Sequence, residues 1–372
     1  MHNYEFLAQS LALQMRFSRT VCAAVVLMSI LTACAQLGPQ ALIAGRPLYN
    51  VAVQQTESQQ LLLNIVRQRY NDPILFLDVT SISSGFSRDA NTSLMGNIFK
   101  AGKNELSGSL GGSMGETPFI FYAPNTGEKF VRQMLTPLDL RTVALILQAG
   151  WSIERVLLIV GESVNQLHNS PVGDETRTGY RTYLDVVAAL RDLQRDGRLI
   201  VGAEPGKDGV EASLALMITP DAVDSPPYRL VCESISVSCD GQPLQLRQAF
   251  GASSDGKTLA LATRSLFSAL YFLAQGVDVP AADAAGGNAT PRPRSEGGPF
   301  DWTSSRGQLF HVHSSADEPD NASVKVFYRN SWFYVADNDA DSKVTFALLS
   351  MLLTLQSGDT TKITPLITLP AM

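Results

Sequence analysis

The chain has 372 residues, 45% hydrophobic and 17% charged, which is a globular composition long enough to bury a core without metal or disulfide staples. Its net charge of −6 gives no general attraction to nucleic acid, and beyond residue 34 no aliphatic run is long enough to cross a bilayer as an isolated helix. DNA-packaging proteins, polytopic membrane proteins and disulfide mini-proteins are thereby excluded, and two α+β domains are expected.

The N-terminus reads as an export leader over 1–33. Met15-Arg16-Phe17-Ser18-Arg19 is a basic start, Val21–Leu31 is apolar, and Leu31-Thr32-Ala33-Cys34 closes the segment. Met15 alone would give a leader of ordinary length. Leu31-Thr32-Ala33-Cys34 resembles the lipobox of bacterial lipoproteins, whose cysteine is lipidated and becomes the first mature residue. That resemblance implies lipid on Cys34. With Ala35 rather than Asp next, it also implies sorting to the periplasmic face of the outer membrane. Acyl chains anchor by burying CH₂ groups at about 0.8 kcal/mol each, so no basic patch is needed.

Residues 34–53 read as a tether. An N-terminal α+β domain is expected over 54–220 and a C-terminal one over 221–372, with mixed and antiparallel sheets around a central helical segment. Thr56-x-x-Gln59 predicts a capping box opening a helix over 58–70, which Asn71-Asp72-Pro73 stops. Residues 74–83 read as a central strand. Over 93–114, Leu94/Gly96/Ile98 and Leu106/Gly108/Leu110/Gly112/Met114 alternate with small polar residues about the turn Ala101-Gly102-Lys103-Asn104. That pattern predicts a hairpin with one apolar and one wet face.

Helices are expected from Thr136-Pro137 to Gly150, from Ser152 to about His168, and over 179–196 with Tyr183, Val186, Val187, Leu190 and Leu193 inward. A hairpin over 198–218 completes a winged-helix-like piece at 137–218. Strands are expected near 228–239 and 243–249, a helix over 257–275, and a disordered loop over 276–300 rich in Ala, Gly and Pro. Strands at 308–313, 322–329 and 331–336 follow. Asp341 is the expected cap of a last helix with the stripe Val344, Ala347, Leu348, Met351, Leu352 and Leu355, and a short strand closes the chain at 363–369.

Several constellations have the spacing of chemical sites. Gly251, Gly256, Lys257 and Thr258 match the phosphate-binding pattern G-x-x-x-x-G-K-[ST]. The preceding Gln245–Phe250 is not a buried apolar strand, and an exported protein has no ATP supply, so this match reads as false. Ser254-x-x-Lys257 lacks the partner motifs of serine acylases. Asp337, Asp339 and Asp341 have calcium-loop spacing without the glycine and glutamate that such a loop needs. His311-x-His313 on a strand puts two imidazoles on one face, the start of a zinc site, with no third ligand at a convincing spacing. Cys232 and Cys239 form a disulfide or remain two thiols. In one straight strand they would lie roughly 23 Å apart, so a bond needs a turn near Glu233-Ser234.

No catalytic set and no cofactor pattern is present. The leading expectation is a lipid-anchored, non-catalytic binding or assembly protein with envelope protein partners and no nucleic acid. The alternatives are a peptidoglycan or glycan hydrolase using carboxylates that sequence cannot pair, and an outer-membrane channel subunit using hairpin 93–114.

Overall fold

The computed structural model describes residues 37–97, 105–170, 174–204, 213–249, 251, 255–289, 294–295, 298–299 and 309–356. The leader, Cys34, the turn at 101–104 and the strand expected at 363–369 lie outside them. The chain forms two compact units, Met1–Glu57 and Ser58–Met372. The fold is α+β.

Helix α1 runs Leu37–Arg69, so the expected tether is helical from Leu37 onward. The Thr56 hydroxyl donates to the Ala52 and Val53 carbonyls, which is the bonding of a residue inside a helix and not of an N-cap. From Ser58 on, α1 buries Leu61, Leu62, Ile65 and Val66. It ends at Asn71, whose φ of 57° only a few residue types adopt readily.

Strands β1 (Phe76–Asn97) and β2 (Glu105–Asn125) form a two-stranded antiparallel ribbon. The expected central strand at 74–83 is instead the root of this ribbon. Short helices α2 (Glu128–Leu135), α3 (Leu140–Gln148) and α4 (Ile153–Val160) follow. The hairpin β3 (Gly161–Val164) and β4 (Leu167–His168) then precedes the long helix α5 (Asp174–Arg195). The predicted stripe on α5 is buried.

Helix α4 stops eight residues short of its expected end, for a visible reason. Its last carbonyls are taken by buried side chains. Asn169 Nδ2 donates to Leu157, Leu158 and Gly161, the Tyr183 hydroxyl donates to Leu157, and Arg264 Nη1 donates to Leu158 and Ile159. A cation at a helix C-terminus is also favoured by the helix dipole. A side chain at Gly161 would collide with the Leu157 carbonyl and the Tyr183 hydroxyl. The Tyr183 phenol is held far above its ordinary range by burial.

Strands β5 (Leu199–Glu204) and β6 (Ser213–Ile218) form the expected hairpin. The winged-helix reading does not hold, because β3 and β4 interrupt the helices and β5–β6 is the edge of a larger sheet. Helix α6 (Pro226–Ile235), β7 (Leu244–Arg247), β8 (Thr258–Thr263) and helix α7 (Leu266–Ala274) come next. The six-stranded sheet has the order β4-β3-β8-β7-β6-β5, with only β7 and β8 parallel. It joins strands from both sides of residue 220, so the expected domain boundary there cuts through one sheet. The expected strand at 228–239 is helical, with Pro226 and Pro227 in the first turn, where their missing N–H groups cost nothing. The expected helix at 257–275 is a fully buried strand followed by a helix that Ser265 caps.

Helix α8 (Ala281–Ala285) and the short pair β9 (Arg294–Ser295) and β10 (Gly298–Pro299) lie where a disordered loop was expected. A final sheet has the order β11-β13-β12, from β11 (His313–Ser315), β12 (Ala322–Tyr328) and β13 (Ser331–Ala336), and α9 (Ala340–Gln356) closes the described chain. Leu348 and Leu352 are buried on α9 as expected, but Val344 and Leu355 are exposed. The buried face is turned toward Ser342 and Thr345. Ser342 Oγ accepts from the His311 amide, and Thr345 donates to the Leu309 carbonyl. The N-cap is Asp339, whose Oδ1 accepts from the Ser342 amide, not Asp341.

Candidate functional site

The most extended feature of the molecule is the β1–β2 ribbon, and its root is built by α1. Asn64 Oδ1 accepts from the Leu75 amide at 3.1 Å, and its Nδ2 donates to the Leu75 carbonyl at 2.7 Å. One helical turn earlier, Gln60 Oε1 accepts from the Leu77 amide at 2.7 Å, and its Nε2 donates to the Leu77 carbonyl at 3.2 Å. Four residues of helix rise about 6 Å and two residues of strand about 6.6 Å, so two side-chain amides serve as a short neighbouring strand. They satisfy the outer edge of the chain at Leu75 and Leu77. Among the described residues, neither outer edge of β1 or β2 pairs with another strand.

Beyond a bulge at Val79/Ser81, each opposed pair joins two residues of the same parity, from Ile82↔Ile120 to Asn97↔Glu105. Even-numbered residues of both strands therefore share one face. By register the even positions include Phe86, Arg88, Ala90, Thr92, Leu94, Leu106, Leu110, Met114 and Glu116, with glycines at 96, 108 and 112. The odd positions include Asp89, Asn91, Ser93, Met95, Asn97, Glu105, Ser107, Ser109 and Ser113. Near the root the ribbon is apolar on both faces and open on both: Phe119, Ile120, Phe121 and Tyr122 are 58%, 44%, 56% and 59% exposed.

A second cluster gathers Asp278, His311 and His313, three ligand atoms that all lie within 4.8 Å of one another. His311 Nε2 is 3.1 Å from Asp278 Oδ1, and His313 Nδ1 is 3.9 Å from Asp278 Oδ2. The backbone sets this arrangement. The Val312 amide donates to the Gly276 carbonyl and the Asp278 amide to the Val312 carbonyl, a parallel bridge between Val277 and Val312. Both valines point into the core, which leaves Asp278 beside the two imidazoles. A Cβ at Gly276 would collide with the Phe310 carbonyl, so the approach requires glycine there. The His313 imidazolium is disfavoured by burial and then by His311, partly offset by Asp278 and Asp339. Asp278 carried no signal in the sequence: it lies far upstream, inside the segment that was read as disordered.

The remaining candidates separate. Asp337 pairs with Lys343 at 2.8 Å, Asp341 pairs with Arg155 at 2.5 Å, and Asp339 caps α9, so the three carboxylates serve three partners and form no calcium loop. Lys257 and Thr258 lead into strand β8, whereas a phosphate-binding loop leads into a helix. Asp255 occupies the turn, its carboxylate accepting from the Lys257 and Thr258 amides and the Thr258 hydroxyl. Residues 252–254 lie outside the described residues.

Cys232 and Cys239 are free thiols, the first buried and the second exposed. The reversal that brings them together is not at Glu233-Ser234 but just after α6, where Ser236 has a φ of 56°. Burial pushes the Cys232 thiol up to about 12, with a hydrogen bond to Cys239 in the same direction.

No protein-family model, curated protein or solved structure matches this chain. No helix among the described residues is long and apolar enough to cross a membrane. Function is therefore read from the ribbon and the cluster themselves.

Proposed function

We propose that the protein is a lipid-anchored, non-catalytic assembly subunit at the periplasmic face of the outer membrane, and that its β1–β2 ribbon joins copies of the chain side by side. The observation that carries this reading is the ribbon itself, two strands of 22 and 21 residues paired only with each other among the described residues. At about 3.3 Å per residue it extends roughly 70 Å. An isolated two-stranded hairpin is marginal in water, and an open edge is a template for another strand.

The occupant is a second copy. The outer edge of β1 in one chain offers what the outer edge of β2 in the next requires. Such a head-to-tail contact gives a ring where the rotation between copies closes, and the closed form is the one proposed. The parity of the ribbon also favours a ring that crosses the bilayer. Positions 106–114 alternate apolar residues or glycine with small residues over about the 9–11 residues that a tilted membrane strand needs, and 93–97 follow the same pattern except at Met95. A channel subunit is thus the specific form of this reading that the alternation supports. Lipid on Cys34 would hold each copy at the membrane.

The test uses outer-membrane vesicles from cells that make the full chain. Amine- or carboxyl-reactive cross-linking is expected to give a ladder of multiples. Replacing residues 86–116 by a tight turn should abolish the ladder while the shortened chain still fractionates with the outer membrane. Cys34→Ala should instead release the chain or leave it unprocessed. A ladder unchanged by loss of the ribbon would contradict the assembly role, and membrane retention of Cys34→Ala without acyl label would contradict the anchor.

A further inference from the structure

We propose that Asp278, His311 and His313 bind one divalent transition-metal ion, with zinc the best fit. Two imidazole nitrogens and a carboxylate oxygen are borderline donors that suit zinc, cobalt or nickel and select against magnesium and calcium, which take oxygen. A tetrahedral ion with bonds of about 2.0–2.1 Å holds its ligand atoms about 3.3 Å apart. Here one pair already stands at 3.1 Å, the second at 3.9 Å, and all three within 4.8 Å.

The backbone here is fixed independently of any ion. The Val277/Val312 bridge and the two hydrogen bonds at Val312 hold the three ligands on segments far apart in sequence. The His311 amide is tied to Ser342 Oγ on α9, and the His313 ring packs on Tyr334. All three side chains are partly exposed, so an ion can enter from solvent. The carboxylate of Asp339 acts on His313 electrostatically and adds negative potential near the ion. Three protein ligands leave a fourth position for water or for a donor from a partner. The ion would cross-link the segment after α7 to strand β11 and the residues that lead into it, and it does not involve the ribbon.

The full-length chain, extracted in detergent and stripped with a chelator, is titrated with Co²⁺ and then Zn²⁺. One equivalent of Co²⁺ is expected to give the visible bands of a tetrahedral nitrogen- and oxygen-ligated ion, without the near-ultraviolet band of a thiolate ligand. Zn²⁺ should displace it, and Mg²⁺ should not. His313→Gln and Asp278→Asn should each weaken binding by more than the roughly 10–100-fold that loss of a mere supporting partner costs. Cys239→Ser and His168→Gln should leave it unchanged. Circular dichroism of each variant shows whether it is folded. Where His313→Gln fails to fold, Asp278→Asn alone decides. No saturable binding, binding insensitive to both ligand changes, or a thiolate band would overturn the proposal.

Discussion

At the residue scale, one carboxylate ties the end of α1 to the C-terminal sheet. Asp72 Oδ2 accepts from the Tyr328 hydroxyl at 2.5 Å and from Arg329 Nε and Nη2 at 3.2 and 3.0 Å. Arg329 also lies over the Tyr70 ring, and its φ of 47°, with 62° at Asn330, makes the turn between β12 and β13. The Tyr328 hydrogen bond, with help from Arg329, holds the Asp72 carboxyl below its ordinary range against the opposing effect of burial. A depressed folded-state pKa contributes stability that is present above the ordinary carboxylate value and lost as the pH falls through the lower one. Asp72→Asn is therefore expected to cost up to about 1 kcal/mol near neutral pH, allowing for solvent screening, and progressively less as the pH falls through the depressed value. Urea midpoints of the two proteins across that range check this, and a pH-independent difference between them would contradict the role of ionised Asp72.

At the element scale, the ribbon's direction depends on α1. Asn64 is fully buried, and its amide makes both hydrogen bonds to Leu75. Asn64→Ala takes the partner from the Leu75 amide and carbonyl at a cost of about 0.5–1.5 kcal/mol, since Leu75 is itself exposed and water can replace part of the bonding. Gln60→Ala, at an exposed pair of bonds, should cost less. Hydrogen exchange at Leu75 and Leu77 is expected to quicken in each variant, and protection unchanged in both would mean the amides do not hold the root. On α9, Leu352 is fully buried, so Leu352→Ala should lower stability by about 2–5 kcal/mol, whereas Leu355→Ala, on the exposed side, should fall within about ±0.5 kcal/mol. Equal denaturant midpoints would show that α9 is not a core element.

These elements also show what the sequence makes legible. The stripe of α5, the β5–β6 hairpin and the antiparallel pairing within 93–114 are local patterns, and the described residues contain the first two and the pairing of 93–97 with 105–109. The rotation of α9 was not legible, because its buried face includes Ser342 and Thr345, polar residues that serve backbone groups of a neighbouring strand. The end of α4 was hidden for a similar reason: its carbonyls are capped by Asn169 and Arg264, which lie outside the helix. Two histidines of the metal cluster are visible as His-x-His, but Asp278 joins them only through a bridge formed in the folded chain. Pro226-Pro227, which suits the first turn of a helix, is the local signal that favours α6 over the expected strand.

At the scale of the whole molecule, the apolar core and the ribbon make opposite demands. The six-stranded sheet is covered by its helices, and β8 is buried along its whole length. Among the described residues the ribbon instead pairs with no further strand on its outer edges, and it exposes four consecutive large apolar residues at its root. Contiguous exposed apolar surface of this kind marks an interaction site. The most direct test is the native mass of the full-length lipidated chain in mild detergent. A closed multiple of the single chain is expected, reverting to one chain when residues 86–116 are replaced by a tight turn; a single-chain mass for the intact protein would contradict assembly through the ribbon.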